Sequence, residues 1–297
     1  MKKSIMRPAH IIEIVTPKKV ILNGLFFGSK KVKRAIVVVH GLVSSAFSLK
    51  RIVAALADSE TAVLTFNNRG HDHVASVKRK IRNRTEYILA GTAHEKFTDS
   101  LDDIQGAINF LKKIGFKKIY IAGHSTGAQK SIYWASRNTD KAVKGVILLA
   151  PLSDYADAQM PTKQRRIKKA VSYARRFVVR GKSHTLLPRE LSGEFPLDAQ
   201  RFLSLYTPDS IEEIFSYTQP NKKPNTLRLV KIPVLALFAR NDEYANRPTN
   251  EIVTWFDENI CAPHTVAVIP GVSHSFKGEE SVVASKIKSF LAKESCA

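Results

Sequence analysis

Short, continuously apolar runs alternate along the chain with longer stretches whose apolar residues recur every three or four positions. The runs at 35–39 (AIVVV), 61–66 (TAVLTF), 118–122 (KIYIA), 143–149 (VKGVILL), 234–238 (VLALF) and 265–269 (TVAVI) have the pattern of strands covered on both faces. Between them, 49–56 reads as a helix. So does 97–114, where Leu101, Ile104, Ala107, Ile108 and Leu111 fall on one side. Ile252, Trp255 and Phe256 mark another helix, and 282–291 the last. Such alternation builds βαβ units, hence a parallel sheet. Residues 11–15 and 20–27 read as an antiparallel pair at the sheet edge. The expected fold is α/β: a mostly parallel sheet of about eight strands with helices on both faces.

One stretch breaks the rhythm. From 152 to 231 the strand pattern stops, and Pro161, Pro188, Pro196, Pro208, Pro220 and Pro224 punctuate a polar segment. Within it, 164–179 reads as a basic helix with Ile167, Ala170, Val171, Ala174 and Phe177 on one face. The expected organisation is a core of residues 1–151 and 232–297 that carries a helical lid at 152–231. The chain shows no internal repeat or low-complexity tract.

The chemistry gathers at the ends of the apolar runs. Gly123-His124-Ser125-Thr126-Gly127 fits G-x-S-x-G, follows a strand and opens a helix. A serine nucleophile on so sharp a turn needs small neighbours two positions to either side. The helix behind it aims its first amides at a developing oxyanion. Ser125 needs a base, and the base an orienting acid, in the chain order Ser, Asp/Glu, His. Residues 234–238 run into Arg240-Asn241-Asp242-Glu243, making Asp242 the acid, with Glu243 the neighbour that could replace it. Residues 265–269 run into Gly271-Val272-Ser273-His274, making His274 the base. The loop after 35–39 reads His40-Gly41-Leu42-Val43; the amides of Leu42 and Thr126 are the expected oxyanion donors, and His40 a structural loop residue.

Taken together, His40-Gly41, the GHSTG turn, the Arg240-Asn241-Asp242 acid and the Gly271–His274 loop resemble the α/β-hydrolase superfamily, over about 20–291. The resemblance implies a Ser–His–Asp serine hydrolase, carboxylesterase- or lipase-like, with a lid where 152–231 lies. Phe66-Asn67-Asn68-Arg69-Gly70 resembles the strand end of lysophospholipase-like and aminopeptidase-like members. GHSTGAQKSIYW, at 123–134, resembles the corresponding turn of fungal siderophore esterases.

Composition changes this picture in one respect. The 47 Lys and Arg against 26 Asp and Glu leave a formal charge of +21. A field of that sign draws anions, so the small acyl substrate can itself be anionic, and peripheral contact with an acidic membrane is compatible with it. Basic residues cluster at 78–84, read as a loop after 61–66, and at 163–182 on the lid, both leaving carboxyl ends of strands, where ligands bind. No RNA-recognition signature or phosphate-binding glycine loop accompanies them, so no specific nucleic acid is expected. His71-Asp72-His73 lacks further ligands at metal spacing. The triad chemistry itself calls for no cofactor. Two cysteines, Cys261 and Cys296, argue against a disulfide framework; Cys261 reads as a small packed residue. With no apolar leader behind Arg7-Pro8, the expected compartment is the cytoplasm. The main expectation is ester or thioester hydrolysis through an acyl-enzyme. An amide or carbon–carbon hydrolase with the same triad is the second, and a non-catalytic basic binding module the third.

Overall fold

The computed structural model describes residues 7–137 and 140–293; Cys296 lies outside them. Parallel strands β3 (Arg34–Val39), β4 (Thr61–Phe66), β7 (Ile119–His124), β8 (Val143–Leu149), β9 (Val234–Ala239) and β10 (His264–Ile269) form the body of a ten-stranded sheet. Their order is β10-β9-β8-β7-β3-β4, with β2 (Val20–Phe27) antiparallel to β4 and β1 (His10–Val15) antiparallel to β2. Every residue of β3, β4 and β9 is buried, which is why these segments read as unbroken apolar runs.

Alternate side chains feed two cores. Ala35, Val37 and Val39 face α2 (Ser100–Lys113), α3 (Thr126–Ala135) and α9 (Thr249–Asn259), through residues such as Ile108, Ile132 and Phe256. Ile36 and Val38 face α1 (Lys50–Leu56) and α10 (Glu280–Lys293), through Val53, Ile287 and Leu291. Each fully buried aliphatic side chain contributes roughly 1.5–3 kcal/mol, so this two-sided sandwich fixes the carboxyl edge of the sheet as a rigid platform.

Two strands escaped the sequence reading. Residues 78–84 are not a loop: β5 (Ala75–Ile81) and β6 (Arg84–Ala90) form an antiparallel ribbon, raising the expected eight strands to ten. Ile21 pairs with Val15 on one side and Lys78 on the other, while Phe26 pairs with His10 and Leu64. β5 therefore follows β4 along the same flank of β2, and the ribbon projects past the carboxyl edge.

Between β8 and β9 run α4 (Asp154–Ala158), α5 (Pro161–Val179), α6 (Arg189–Ser192), α7 (Ala199–Tyr206) and α8 (Asn225–Arg228). α5 starts with Pro161 at its first turn, where a missing N–H costs nothing. It buries only the stripe Ile167, Ala170, Ala174 and leaves its basic face to water. That stripe meets Phe202 and Leu205 of α7, and Leu42 of the core packs against the same cluster. The insert thus has its own small core and roofs the loop after β3.

Candidate active site

Ser125 stands between β7 and α3 with φ 56° and ψ −128°, a region L-residues avoid. Its surroundings impose the turn. A Cβ on Gly127 would meet the Val39 carbonyl oxygen at 2.2 Å, and one on Gly123 would meet that of Gly127 at 2.1 Å. Only glycine lets α3 and β3 close on the turn at this distance. Thr126 is the first residue of α3, so its amide has no intrahelical acceptor and is free to face a ligand.

Asp242 and His274 come from the loops after β9 and β10. The Nδ1–H of His274 donates to Asp242 Oδ2 at 2.8 Å, and both side chains are largely buried. Glu243 does something different: its Oε2 accepts the backbone amide of His274 at 2.9 Å. The geometry thus separates the two acids, one on the ring and one on the main chain. His124 secures the loop from the other side, its Nε2–H donating to the His274 carbonyl at 2.9 Å. Burial, reinforced by the nearby His274, pushes the His124 pKa down to about 3, so it serves this bond as a neutral imidazole.

The loop after β3 is held as tightly. A Cβ on Gly41 would lie 2.8 Å from that of Ser125. His40 is buried; its Nδ1–H donates to the Gly41 carbonyl and its Nε2 accepts the Asn68 amide at 3.2 Å. Burial and the Lys130 cation push its pKa down to about 3, consistent with the structural role expected for it. Asn68 of the Asn-Asn-Arg-Gly stretch is therefore a clamp on this loop. Val43 has φ 52°, an outlier for a β-branched residue. Its amide donates to Thr92 Oγ1 at 2.8 Å, and the Thr92 hydroxyl donates onward to the Gly70 carbonyl.

Ser125, His274, Leu42 and Gly41 line one cavity of about 480 Å³. Lys163, Arg166, Ile167, Phe195 and Tyr206 of the insert close it from above, and Tyr244 stands edge-on to the His274 ring. Lining charges are of both signs: Asp154, Asp157 and Glu194 beside Lys163 and Arg166. Lys163 donates to both oxygens of Asp157 at 2.7 and 2.8 Å, and Arg166 to the Leu191 carbonyl at 2.6 Å. Burial and nearby Glu212 push the Asp154 pKa up to about 7. None of residues 78–84 lines this cavity.

Beneath it lies a buried ionic chain that the sequence did not disclose. Lys130 of α3 pairs with Glu95, Glu95 with Arg201 of α7 at 2.8 Å, and Arg201 with Glu212. Burial opposes ionisation of Glu95, but Lys130 and Arg201 outweigh it and hold its pKa at about 2. Two cations thus alternate with two anions from α3 into the insert. Cys261 is exposed, not packed as its sequence context suggested, because the turn after α9 faces outward. His71 Nδ1–H donates to the Asn68 carbonyl at 2.9 Å and its Nε2 lies 3.9 Å from Asp72, while His73 lines the cavity.

The strand order, the strained serine turn and the loops that carry Asp242 and His274 define an α/β-hydrolase fold. Solved structures agree. The siderophore hydrolase EstB from Aspergillus fumigatus superposes with a TM-score of 0.73 at 19% identity, over 98% of this chain and 99% of that one. The Pyrococcus furiosus esterase Pf2001 gives 0.62 at 17%, over 97% and 91%. Est1E from Butyrivibrio proteoclasticus, with ferulic acid bound, gives 0.64 at 17%, over 96% and 100%. The chain belongs to the family described as protein of unknown function DUF1749, whose model matches residues 72–292. It is also 25% identical, over 70% of its length and 73% of the relative's, to the UPF0613 protein PB24D3.06c of Schizosaccharomyces pombe.

Proposed function

We propose that this chain is a serine hydrolase of carboxylic esters or thioesters. Ser125 attacks the acyl carbon while His274 takes its proton. Asp242 fixes the tautomer of His274 and steadies the imidazolium. The amides of Leu42 and Thr126 hold the oxyanion, and His274 then delivers the proton to the leaving group. Water, activated by the same histidine, releases the acid and restores Ser125. The observation that carries this reading is the 2.8 Å contact of Asp242 with His274 in a cavity that Ser125 also lines.

In this reading residues 152–231 act as the lid and select the substrate. A cavity of about 480 Å³ with Asp154, Lys163, Arg166 and Tyr206 in its wall suits a compact, polar ester better than a long acyl chain. The names of two structural neighbours, a siderophore hydrolase and an esterase, support ester chemistry. Long-range attraction of anionic esters by the exposed basic face of α5 and by the ribbon is part of the proposal. So is a reducing, cytoplasmic setting; among the described residues no helix is long and apolar enough to cross a membrane.

The test is turnover of p-nitrophenyl esters from acetate to palmitate beside aminoacyl p-nitroanilides, with Ser125→Ala as control. The expected result is ester turnover that peaks at short acyl groups and disappears in the variant. Preference for the anilides favours the amide reading, and no Ser125-dependent turnover of either panel ends the proposal.

A further inference from the structure

Outside the cavity, three side chains with metal-ligating atoms converge where the insert meets the core. His94 closes a short 3-10 turn, Thr92–His94, at the foot of the ribbon. His184 follows α5, and Asp198 caps α7. Both imidazole Nδ1 atoms point at one carboxylate oxygen: Asp198 Oδ2 lies 3.0 Å from that of His94 and 2.9 Å from that of His184. The potential ligand atoms of all three residues lie within 4.8 Å of one another.

The backbone arranges this meeting in advance. The segment with His184 runs against the one with Asp198: the Leu187 amide donates to the Leu197 carbonyl, that of Ala199 to Thr185 and that of Gln200 to Ser183. Leu186 and Asp198 form an isolated antiparallel bridge. The His94 segment is tied in as well, since the Asp198 amide donates to the Ala93 carbonyl at 2.8 Å and the Gln200 side chain to that of Glu95 at 3.1 Å. Asp198 is itself aimed, because its second oxygen accepts the Arg201 amide at 2.8 Å. An outer bond of this kind orients a ligating carboxylate.

The chemistry of the donors matches a borderline-soft cation. Two imidazoles and one carboxylate suit zinc and its neighbours rather than magnesium or calcium. Bonds of roughly 2.0–2.1 Å at tetrahedral angles place ligand atoms about 3.3 Å apart, so the two His–Asp edges open by a few tenths of an ångström while the His94–His184 edge, within 4.8 Å now, closes by up to about 1.5 Å, a movement open to the exposed His184 side chain. Asp198 is fully buried, while the His184 side chain is 69% exposed and leaves a route from solvent.

We propose that His94, His184 and Asp198 form a binding site for a divalent transition-metal ion, zinc in its ligand chemistry, that fastens the insert to the core. The ion replaces the two Nδ1 protons that now bridge to Asp198, and water completes its coordination. The site is separate from the Ser125 cavity and stands whether or not the hydrolase reading does.

Calorimetric titration of the chelator-treated full chain with zinc, beside thermal unfolding with and without the ion, tests this. Wild type should bind one zinc per chain and unfold at a higher temperature when loaded. His184→Ala, a change at an exposed side chain, should weaken binding at least tenfold and abolish the thermal shift. Asp198→Asn keeps an oxygen for the α7 cap and removes the anionic ligand; it should weaken zinc binding likewise. Magnesium should shift nothing. Absence of saturable zinc binding by wild type overturns the proposal, as does zinc binding that His184→Ala and Asp198→Asn leave unchanged.

Discussion

The side chain of Thr92 holds the backbone of Val43 in a left-handed conformation, its Oγ1 accepting the Val43 amide at 2.8 Å. That amide is next to the one assigned to the oxyanion. A β-branched residue at φ 52° stores strain on the order of 1–3 kcal/mol and persists only where its surroundings insist. Thr92→Val keeps the shape and removes the acceptor. The expected outcome is a fall in kcat of about tenfold with little change in KM, because the donor is misplaced in the transition state. Thr92→Ser, which keeps the oxygen, should restore most of it. Equal losses in both variants would contradict this positioning role.

The two neighbouring acids give a sharper contrast. Asp242→Asn should lower kcat by roughly four orders of magnitude by favouring the wrong tautomer of His274. Glu243→Gln should cost far less, since its amide oxygen can still accept the His274 N–H. Steady-state kinetics on one ester decides between them, and a reversed ranking would exchange their roles.

These two acids also show how far the sequence was legible. Ser125 and Asp242 follow buried strands, whereas His274 follows the edge strand β10, which is only half-buried and not covered on both faces as its apolar run suggested. In all three an apolar run ending in a polar turn is a local signal. What separates Asp242 from Glu243 is side-chain direction within a loop, which no spacing encodes. The ribbon was hidden for a different reason. Its outer face, with Lys78, Lys80, Tyr87 and Leu89, is exposed, so burial imposes no apolar alternation, and its partner Ile21 is far away in sequence. Lys130, Glu95, Arg201 and Glu212 lie on four separate segments and meet only because the insert folds back over α3. His94 and Asp198 are 104 positions apart and fall under the same limit.

Stability should respond to pH through Asp154. Its pKa in the folded chain, about 7, lies above the ordinary carboxylate value of 3.8. Between those values the folded state binds the extra proton, so this group's contribution falls as pH rises from about 4 to 7, and is constant above. Asp154→Asn retains an oxygen for the Gln129 amide, which now donates to Asp154 Oδ2 at 3.0 Å, and removes the titration. The variant should match wild type near pH 4 and exceed it at pH 8 by on the order of a few kcal/mol. Denaturant unfolding at both pH values measures this. A variant advantage that is the same at pH 4 and pH 8 would contradict it.

The positive field has its own test. Arg165, Lys168 and Lys169 are exposed on α5, while Arg166 is engaged with Leu191 and is best left in place. Changing those three to Gln should reduce kcat/KM for a carboxylate-bearing ester and leave a neutral ester of equal size nearly unchanged. The difference should shrink with salt, because the Debye length falls to about 8 Å at 0.15 M. Equal losses on both substrates would indicate damage to the insert instead of lost steering.

Ser125 is proposed as the activated nucleophile of this cavity. Labelling with a fluorophosphonate followed by peptide mapping tests it most directly, since the reagent bonds to a serine only where a base and an oxyanion site act on it. A single adduct is expected, on Ser125, lost in Ser125→Ala and slowed in Asp242→Asn. An adduct on another serine, or a wild-type chain that hydrolyses esters while Ser125 stays unlabelled, would contradict it.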